Sequence, residues 1–527
     1  MTILIHELIL NAAHRIPDHE ALVYQHTRLD YQHLARSTLN IARLYLSLGL
    51  KKSDRIAVYL EKRIESVTAL FGASAAGGVF VPINPILKPQ QVEHILIDCN
   101  VRILVTSTDR LVSLAEILRH CPDLHTIIVI GQINKLPAIP HITIIPWTEN
   151  TLDLALTPHR AISNDMAAIL YTSGSTGRPK GVVLSHLNMV AGAHSVASYL
   201  DNSADDRILA VLPLSFDYGL SQLTTAFLSG ACAVLMNHLL PRDIIKAINQ
   251  ENITGLAAVP PLWTQLAQLN WPEDAGHRLR YFTNSGGAMP KTTLAALRSR
   301  LPNAKPYLMY GLTEAFRSTY LPPEEVDRRP DSIGKAIPNA EILVVREDGS
   351  LCAPGEPGEL VHRGTLVSLG YWNDQEKTAE RFRPVPQPMH GLTLPEMAVW
   401  SGDTVKTDDE GFLYFIGRRD EMIKTSGYRV SPTEVEEVIY TTKLVSEVAA
   451  IGISHLELGQ CIVAVVSIDP GKPLDTTELM MECKRRLPAY MVPAHIRIHD
   501  TILPRNPNGK IDRKNLALIY EPVFASR

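Results

Sequence analysis

The chain has 527 residues, too many for one ordinary core, so two or more domains are expected. Apolar residues make up 45% and charged residues 20%, the balance of a soluble globular protein. A formal net charge of −4 removes any bulk electrostatic reason to bind nucleic acid or an anionic membrane.

The opening MTILIHELILNAAHRIP lacks a basic leading region and carries His6 and Glu7 inside its apolar stretch. It reads as an amphipathic helix and not as a signal peptide. Helical and strand patterns then alternate: YQHLARSTLNIARLYLSLGL, RIAVYL, PQQVEHILIDC, VRILVTS. From Val67 to Leu87 no charge occurs, about the length that spans a bilayer. Gly77-Gly78, Pro82 and Pro85 interrupt that run, so a buried helix followed by a buried strand is expected. The alternation resumes with ILAVLPL, a helix near Leu220–Leu228, ACAVLM, and PRDIIKAINQENI leading into GLAAVPP. Such a sequence implies parallel sheets covered by helices on both faces.

From Asn339 to Tyr371 the pattern changes to short strands and Gly/Pro turns, which predicts a small β-rich subdomain over about 335–417. The last hundred residues restart with their own strands and helices, and the charged turn Arg418-Arg419-Asp420 marks the boundary. The expected fold class is α/β. A large N-terminal domain of mostly parallel sheets (1–417) would be followed by a small α+β domain (421–527). Six cysteines, at 99, 121, 232, 352, 461 and 483, show no CxxC spacing and no adjoining histidine cluster. Buried reduced thiols of a cytoplasmic enzyme fit them better than disulfides or zinc.

The densest chemical signal is Tyr171-Thr-Ser-Gly-Ser-Thr-Gly-Arg-Pro-Lys-Gly181, directly after the apolar run MAAIL. Its glycines permit positive φ and close backbone approach, so successive N–H groups can converge on phosphate oxygens. Thr172, Ser173, Ser175 and Thr176 add hydroxyls, Gly174 and Gly177 the turns, and Lys180 a cation. The pattern is not a Walker A loop, because GxxxxGK[ST] does not fit.

These residues resemble the phosphate-binding signature of the adenylate-forming, AMP-binding enzymes, which include acyl-CoA synthetases, luciferases and peptide-synthetase adenylation domains. The resemblance continues through Tyr310-Gly-Leu-Thr-Glu314, Ser332-Ile-Gly-Lys-Ala336, Gly358-Glu-Leu360 and Gly370-Tyr-Trp372. It then takes in Trp400-Ser-Gly-Asp403, the run from Gly417 to Val430, and Pro507-Asn-Gly-Lys510, all in family order. It implies that Thr313 donates to phosphate and that Glu314 holds a Mg²⁺ bridging phosphate oxygens. Gly287, Tyr310 and Gly311 would frame the nucleotide, Asp403 would accept from the ribose hydroxyls with Arg418 assisting, and Arg429 would face the phosphates. Lys510 would be the main catalytic residue, an ammonium between an attacking carboxylate and the α-phosphate. The small C-terminal domain would be mobile, swinging at Asp420 to open a channel for a pantetheine thiol.

The acid is marked by Ser215-Phe-Asp-Tyr-Gly219, which is similar to the Phe-Asp of amino-acid-activating members. A carboxylate facing a pocket without a partner is costly, so Asp217 would favour a substrate ammonium. The alternative is an aspartate satisfied by backbone N–H groups. By the same correspondence Tyr218, Ser221, Ala258, Thr283, Ser285, Met309, Arg317 and Ser318 line the acyl pocket. Arg317 either meets a polar substrate group or pairs with Glu324 or Glu325.

Leu312 and Ala288 depart from common patterns of the family and leave CoA synthetase and carrier-protein ligase both open. The stretches LSFDYGLSQLTTAF and MYGLTEAFRSTYLPPEEVDRRPDSIGKAIPNAE most resemble AMP-forming acyl ligases associated with bacterial exosortase A systems, whose acceptor would be an acyl carrier protein. The expected activity is acid–thiol ligation with ATP, a carboxylic acid and CoA or a phosphopantetheine carrier. Alternatives are an enzyme that stops at the adenylate or passes it elsewhere, and a silent binding protein.

Overall fold

A computed structural model of the chain describes every residue except 1, 133–137, 149–155, 173–178, 273–274, 387–390, 392, 419–420, 426–427, 456–457, 470–473, 488, 508 and 525–527, and except the side chains of 424, 428, 429, 459 and 524. Among the described residues the strands form three sheets. The first runs Thr143–Pro146, Thr126–Ile130, Val101–Ser107, Arg55–Tyr59, Val79–Pro82, Met166–Thr172, Lys180–Ser185, parallel throughout except for its last pair. The second has a parallel half built on Glu20–Tyr24, Cys232–Leu235, Arg207–Ala210, Gly255–Ala258, Tyr281–Asn284 and Lys305–Tyr310.

The uncharged segment folds as expected. Ile64–Ala76 is a helix and Val79–Pro82 a strand. From Ser66 onward every residue of that helix is buried, which is why its sequence is apolar on all sides. It packs with the helices Tyr31–Ser47 and Asp217–Ser229 in the largest core, where the Phe71 and Phe227 rings meet edge to face at 5.4 Å. The N-terminal helix runs Glu7–Arg15 and turns Leu8, Ile9 and Ala12 into the same core. Among the described residues no helix is long and apolar enough to cross a membrane.

The β-rich segment does not stand apart. Thr319–Leu321 and Ser332–Ala336 add antiparallel strands to the parallel half of the second sheet. Leu413–Arg418, Met397–Thr407, Gly358–Gly364 and Ala340–Val345 then continue the same hydrogen-bonded path. After Arg418 the next strand, Ile423–Thr425, belongs to a third sheet with Tyr428–Val430, Glu447–His455, Gly459–Ser467 and His495–Ile498, backed by its own apolar cores. All six cysteines carry free thiols, and five are buried.

Two fully buried histidines tie the N-terminal region together. His186 Nδ1 accepts from the Ile5 N–H at 3.2 Å, and His362 Nδ1 lies 2.9 Å from Ser318 Oγ. Burial holds both imidazoles down to about 4, below the ordinary 6.5. The unfolded chain therefore binds these protons first, so stability is lost as pH falls from about 6.5 toward 4. Each ring accounts for up to ~3 kcal/mol of that loss. We expect the urea midpoint to fall across this window and His186→Gln to flatten the slope. An unaltered slope in the variant would contradict the assignment.

Candidate active site

The strand Met166–Thr172 leads toward the glycine-rich segment and Lys180–Ser185 follows it, with Thr172 opposite Lys180. Ser173, Gly174, Ser175, Thr176 and Gly177 lie outside the described residues. At the loop's exit the Lys180 ammonium is 5.5 Å from the centre of the Tyr371 ring. Burial, and then Lys377 and Arg381 nearby, hold its pKa below the usual lysine value. Cations crowded in this way favour a polyanionic ligand.

The Tyr371 hydroxyl donates to Glu314 Oε1 at 2.6 Å, which joins this corner to the short 3₁₀ turn Thr313–Ala315. A carboxylate beside a threonine hydroxyl is an oxygen donor set that suits a hard cation such as Mg²⁺. Among the described residues no group of three metal-ligating side chains occurs, so the remaining ligands would be phosphate oxygens and water.

The corner that the resemblance assigns to ribose is built by strand pairing. Asp403, in Met397–Thr407, lies opposite Arg418, in Leu413–Arg418. Tyr310, the last residue of its strand, donates its hydroxyl to Asp403 Oδ2. Arg418 Nε is 3.0 Å from Oδ1, yet Oδ1 has no hydrogen bond of acceptable geometry among the described residues. Burial raises the Asp403 pKa and Arg418 opposes it. A buried carboxylate oxygen short of a donor is a fitting acceptor for sugar hydroxyls. Gly311 allows close approach here, because a Cβ on it would stand 3.2 Å from Arg317 Cα. Gly287 accepts from Asn284 Nδ2 at 2.9 Å through its carbonyl.

Lys510 comes from the other domain. Its loop is closed by paired bonds, Asn506 N–H to the Lys510 carbonyl at 2.8 Å and Lys510 N–H to Asn506 Oδ1 at 3.0 Å. Asn84 Nδ2 donates to the Pro507 carbonyl at 2.8 Å and docks that loop onto the first sheet. Gly286 has φ +82°, and a Cβ there would lie 3.5 Å from Lys510 Cε, so the lysine stem passes directly over this turn. Water reaches the side chain through the cleft. Desolvation by the surrounding protein and then Arg418 still lower its pKa, against the opposing pull of Asp217, Asp403 and Glu421. Asp420 and the Arg429 side chain lie outside what is described.

The residues expected to line the acyl pocket depart from expectation at Asp217. Its carboxylate is not open to a substrate ammonium alone, for Oδ2 already receives Arg317 Nη1 at 3.0 Å. Both residues are almost completely buried, and Arg317 therefore pairs with Asp217 and not with Glu324 or Glu325. Gly219 makes this possible: a Cβ there would overlap the Pro213 carbonyl oxygen, so only glycine lets the helix Asp217–Ser229 start so close. Ser318 also departs, turning to His362. Tyr218, Ser221, Thr283, Met309 and Arg317 do share one cavity. Ala258 and Ser285 lie outside its lining, at the ends of neighbouring strands, with the Ala258 carbonyl taken by Trp263 Nε1 at 3.0 Å. Sequence reasoning missed Asn84 and the role of Tyr371, although Tyr371 sits inside a motif already noticed.

Comparison with known proteins agrees with this geometry. The chain belongs to the AMP-binding enzyme family, whose model matches residues 9–372, and the AMP-binding enzyme C-terminal domain matches residues 434–510. It is 30% identical to a long-chain-fatty-acid–CoA ligase of Escherichia coli O157:H7, over 91% of this chain and 88% of that protein. It is 29% identical to tyrocidine synthase 1 of Brevibacillus parabrevis, over 97% of this chain and 44% of that much longer protein. The structure of o-succinylbenzoate CoA synthetase from Bacillus subtilis, in complex with its acyl-adenylate intermediate, superposes with a TM-score of 0.83 at 26% identity, covering 97% of each chain.

Proposed function

We propose that this protein is an AMP-forming acid–thiol ligase, which activates a carboxylic acid with ATP and passes the acyl group to a pantetheine thiol. The observation that carries the reading is Lys510, whose loop docks through Asn84 and whose stem passes over the Gly286 turn, within electrostatic reach of Asp403 and Asp217. In the first step a substrate carboxylate oxygen bonds to the α-phosphorus as the bond to the β-phosphate bridging oxygen breaks, releasing pyrophosphate. Lys510 holds the two anions together and offsets the charge that accumulates. Asp403 orients the ribose, with Tyr310 and Arg418 fixing its carboxylate. Thr313 and Lys180 would contact phosphate, and Glu314 would hold a Mg²⁺ that neutralises phosphate charge when bound.

In the second step a thiolate attacks the acyl carbonyl and AMP leaves. Rotation at Asp420 would withdraw Lys510 and break the Asn84–Pro507 link, and Arg429 would exchange its surroundings in the same motion. The resemblance to exosortase-A-associated ligases favours a carrier protein as acceptor, and the long-chain-fatty-acid–CoA ligase relatives favour CoA. Incubating the enzyme with ATP, an acid that it activates, and either CoA or a phosphopantetheinylated carrier should give a thioester with stoichiometric AMP. Adenylate accumulating with neither thiol acylated would refute the transfer step and leave an adenylation-only enzyme.

A further inference from the structure

The buried ion pair behind Lys510 is incompletely satisfied. Arg317 Nη1 is taken by Asp217 Oδ2 and by the Phe316 carbonyl at 2.8 Å, whereas Nε and Nη2 are buried without a hydrogen-bond partner among the described residues. Asp217 Oδ1 is orphaned in the same way. Unmet donors on a buried guanidinium are costly, and native proteins seldom leave them so unless something fills the place. The backbone is strained to put the guanidinium there. Phe316 has φ +56° and ψ −53°, a γ-turn closed by Arg317 N–H to the Ala315 carbonyl at 2.5 Å. Its ring fits only because Gly192 has no Cβ.

Arg317 lines a small cavity. Tyr218 and Thr283, joined by a 2.5 Å hydroxyl bond, line it with Ser221, Thr225 and Met309, and Thr225 Oγ1 is another buried oxygen without a hydrogen-bond partner among the described residues. The cavity has room for about one water molecule, so a long chain finds no place beside Arg317. The Phe216 ring, beside Asp217 in sequence, and the Lys510 stem both border the Gly286 turn, which sets the Asp217–Arg317 pair near Lys510. A substrate whose carboxylate lies at Lys510 would thus extend past Asp217 toward Arg317.

We infer that the acyl pocket selects a short acid bearing a distal hydrogen-bond acceptor, a carbonyl, hydroxyl or second carboxylate, which Arg317 binds through Nε and Nη2. Long alkyl chains are excluded, in contrast to what the names of several relatives suggest. This deepens the adenylation reading and rests on it. A pocket built to pair a polar group rejects analogues lacking it, because its own donors are then stranded.

The test is acid-dependent pyrophosphate release with glutarate, levulinate and hydroxybutyrate against hexanoate, decanoate and hexadecanoate. We expect at least one polar acid to exceed every alkyl acid by about tenfold or more in kcat/KM. Arg317→Met should abolish that preference, and the charge-free pair Asp217→Asn with Arg317→Met should do so without a loss of folding, checked by the shift in melting temperature that ATP causes. Preference for an alkyl acid, or a polar preference that survives both variants, overturns the inference while adenylation stands. No pyrophosphate release with any acid overturns the adenylation reading, and the inference with it.

Discussion

Lys510→Ala should lower acid-dependent adenylation by roughly a hundred- to a thousandfold, the effect of removing one preorganised group at a site of developing charge. The same variant should still transfer acyl from supplied acyl-adenylate to a thiol, since the second step does not place an ammonium between two anions. The structure gives a reason to expect this split. Lys510 reaches the cleft only through its own loop, held by Asn506 from within and by Asn84 from the other domain. Removing its side chain leaves those contacts, so the loop should still dock. Equal loss of both half-reactions would indicate a folding defect or a different role.

Asp403→Ala should raise the KM for ATP by roughly ten- to a hundredfold, since hydrogen bonds to a charged group contribute about 1.5–3 kcal/mol. It removes an acceptor for sugar hydroxyls and leaves the Tyr310 hydroxyl and Arg418 without their shared carboxylate. Asp403→Asn keeps an oxygen for Tyr310 and should lose less. A ribose role also predicts that wild type disfavours deoxy-ATP and that Asp403→Ala no longer distinguishes the two nucleotides. Discrimination that persists in the variant would assign Asp403 to stability alone.

Much of the fold could be read from local pattern. The uncharged run from Val67 to Leu87 became a helix and a strand because glycines and prolines punctuate it, and local backbone chemistry is visible in sequence. The continuity of the β-rich segment with the second sheet was not visible. It depends on the pairing of Thr319–Leu321 with Ser332–Ala336, a short antiparallel ladder whose neighbours nothing in the strand pattern specifies.

The site divides similarly. The resemblance assigned Asp403 and Arg418 to one corner, and the structure sets them opposite each other in a cross-strand register. At Asp217 the reasoning that a lone buried carboxylate needs a cation was sound, but the cation is Arg317, a hundred residues onward. A periodic pattern shows that a residue faces inward and not which partner meets it there. Asn84 lay beyond reach for the same reason, since its partner is the carbonyl of Pro507 across the domain boundary.

The central claim is that this cleft joins a carboxylate to the α-phosphate of ATP. Acid-dependent exchange of labelled pyrophosphate into ATP tests it most directly, because exchange requires a reversible adenylate and no thiol. Exchange that depends on one of the polar acids and disappears in Lys510→Ala is the predicted result. Exchange of equal rate in wild type and Lys510→Ala, or none with any acid, would contradict the account.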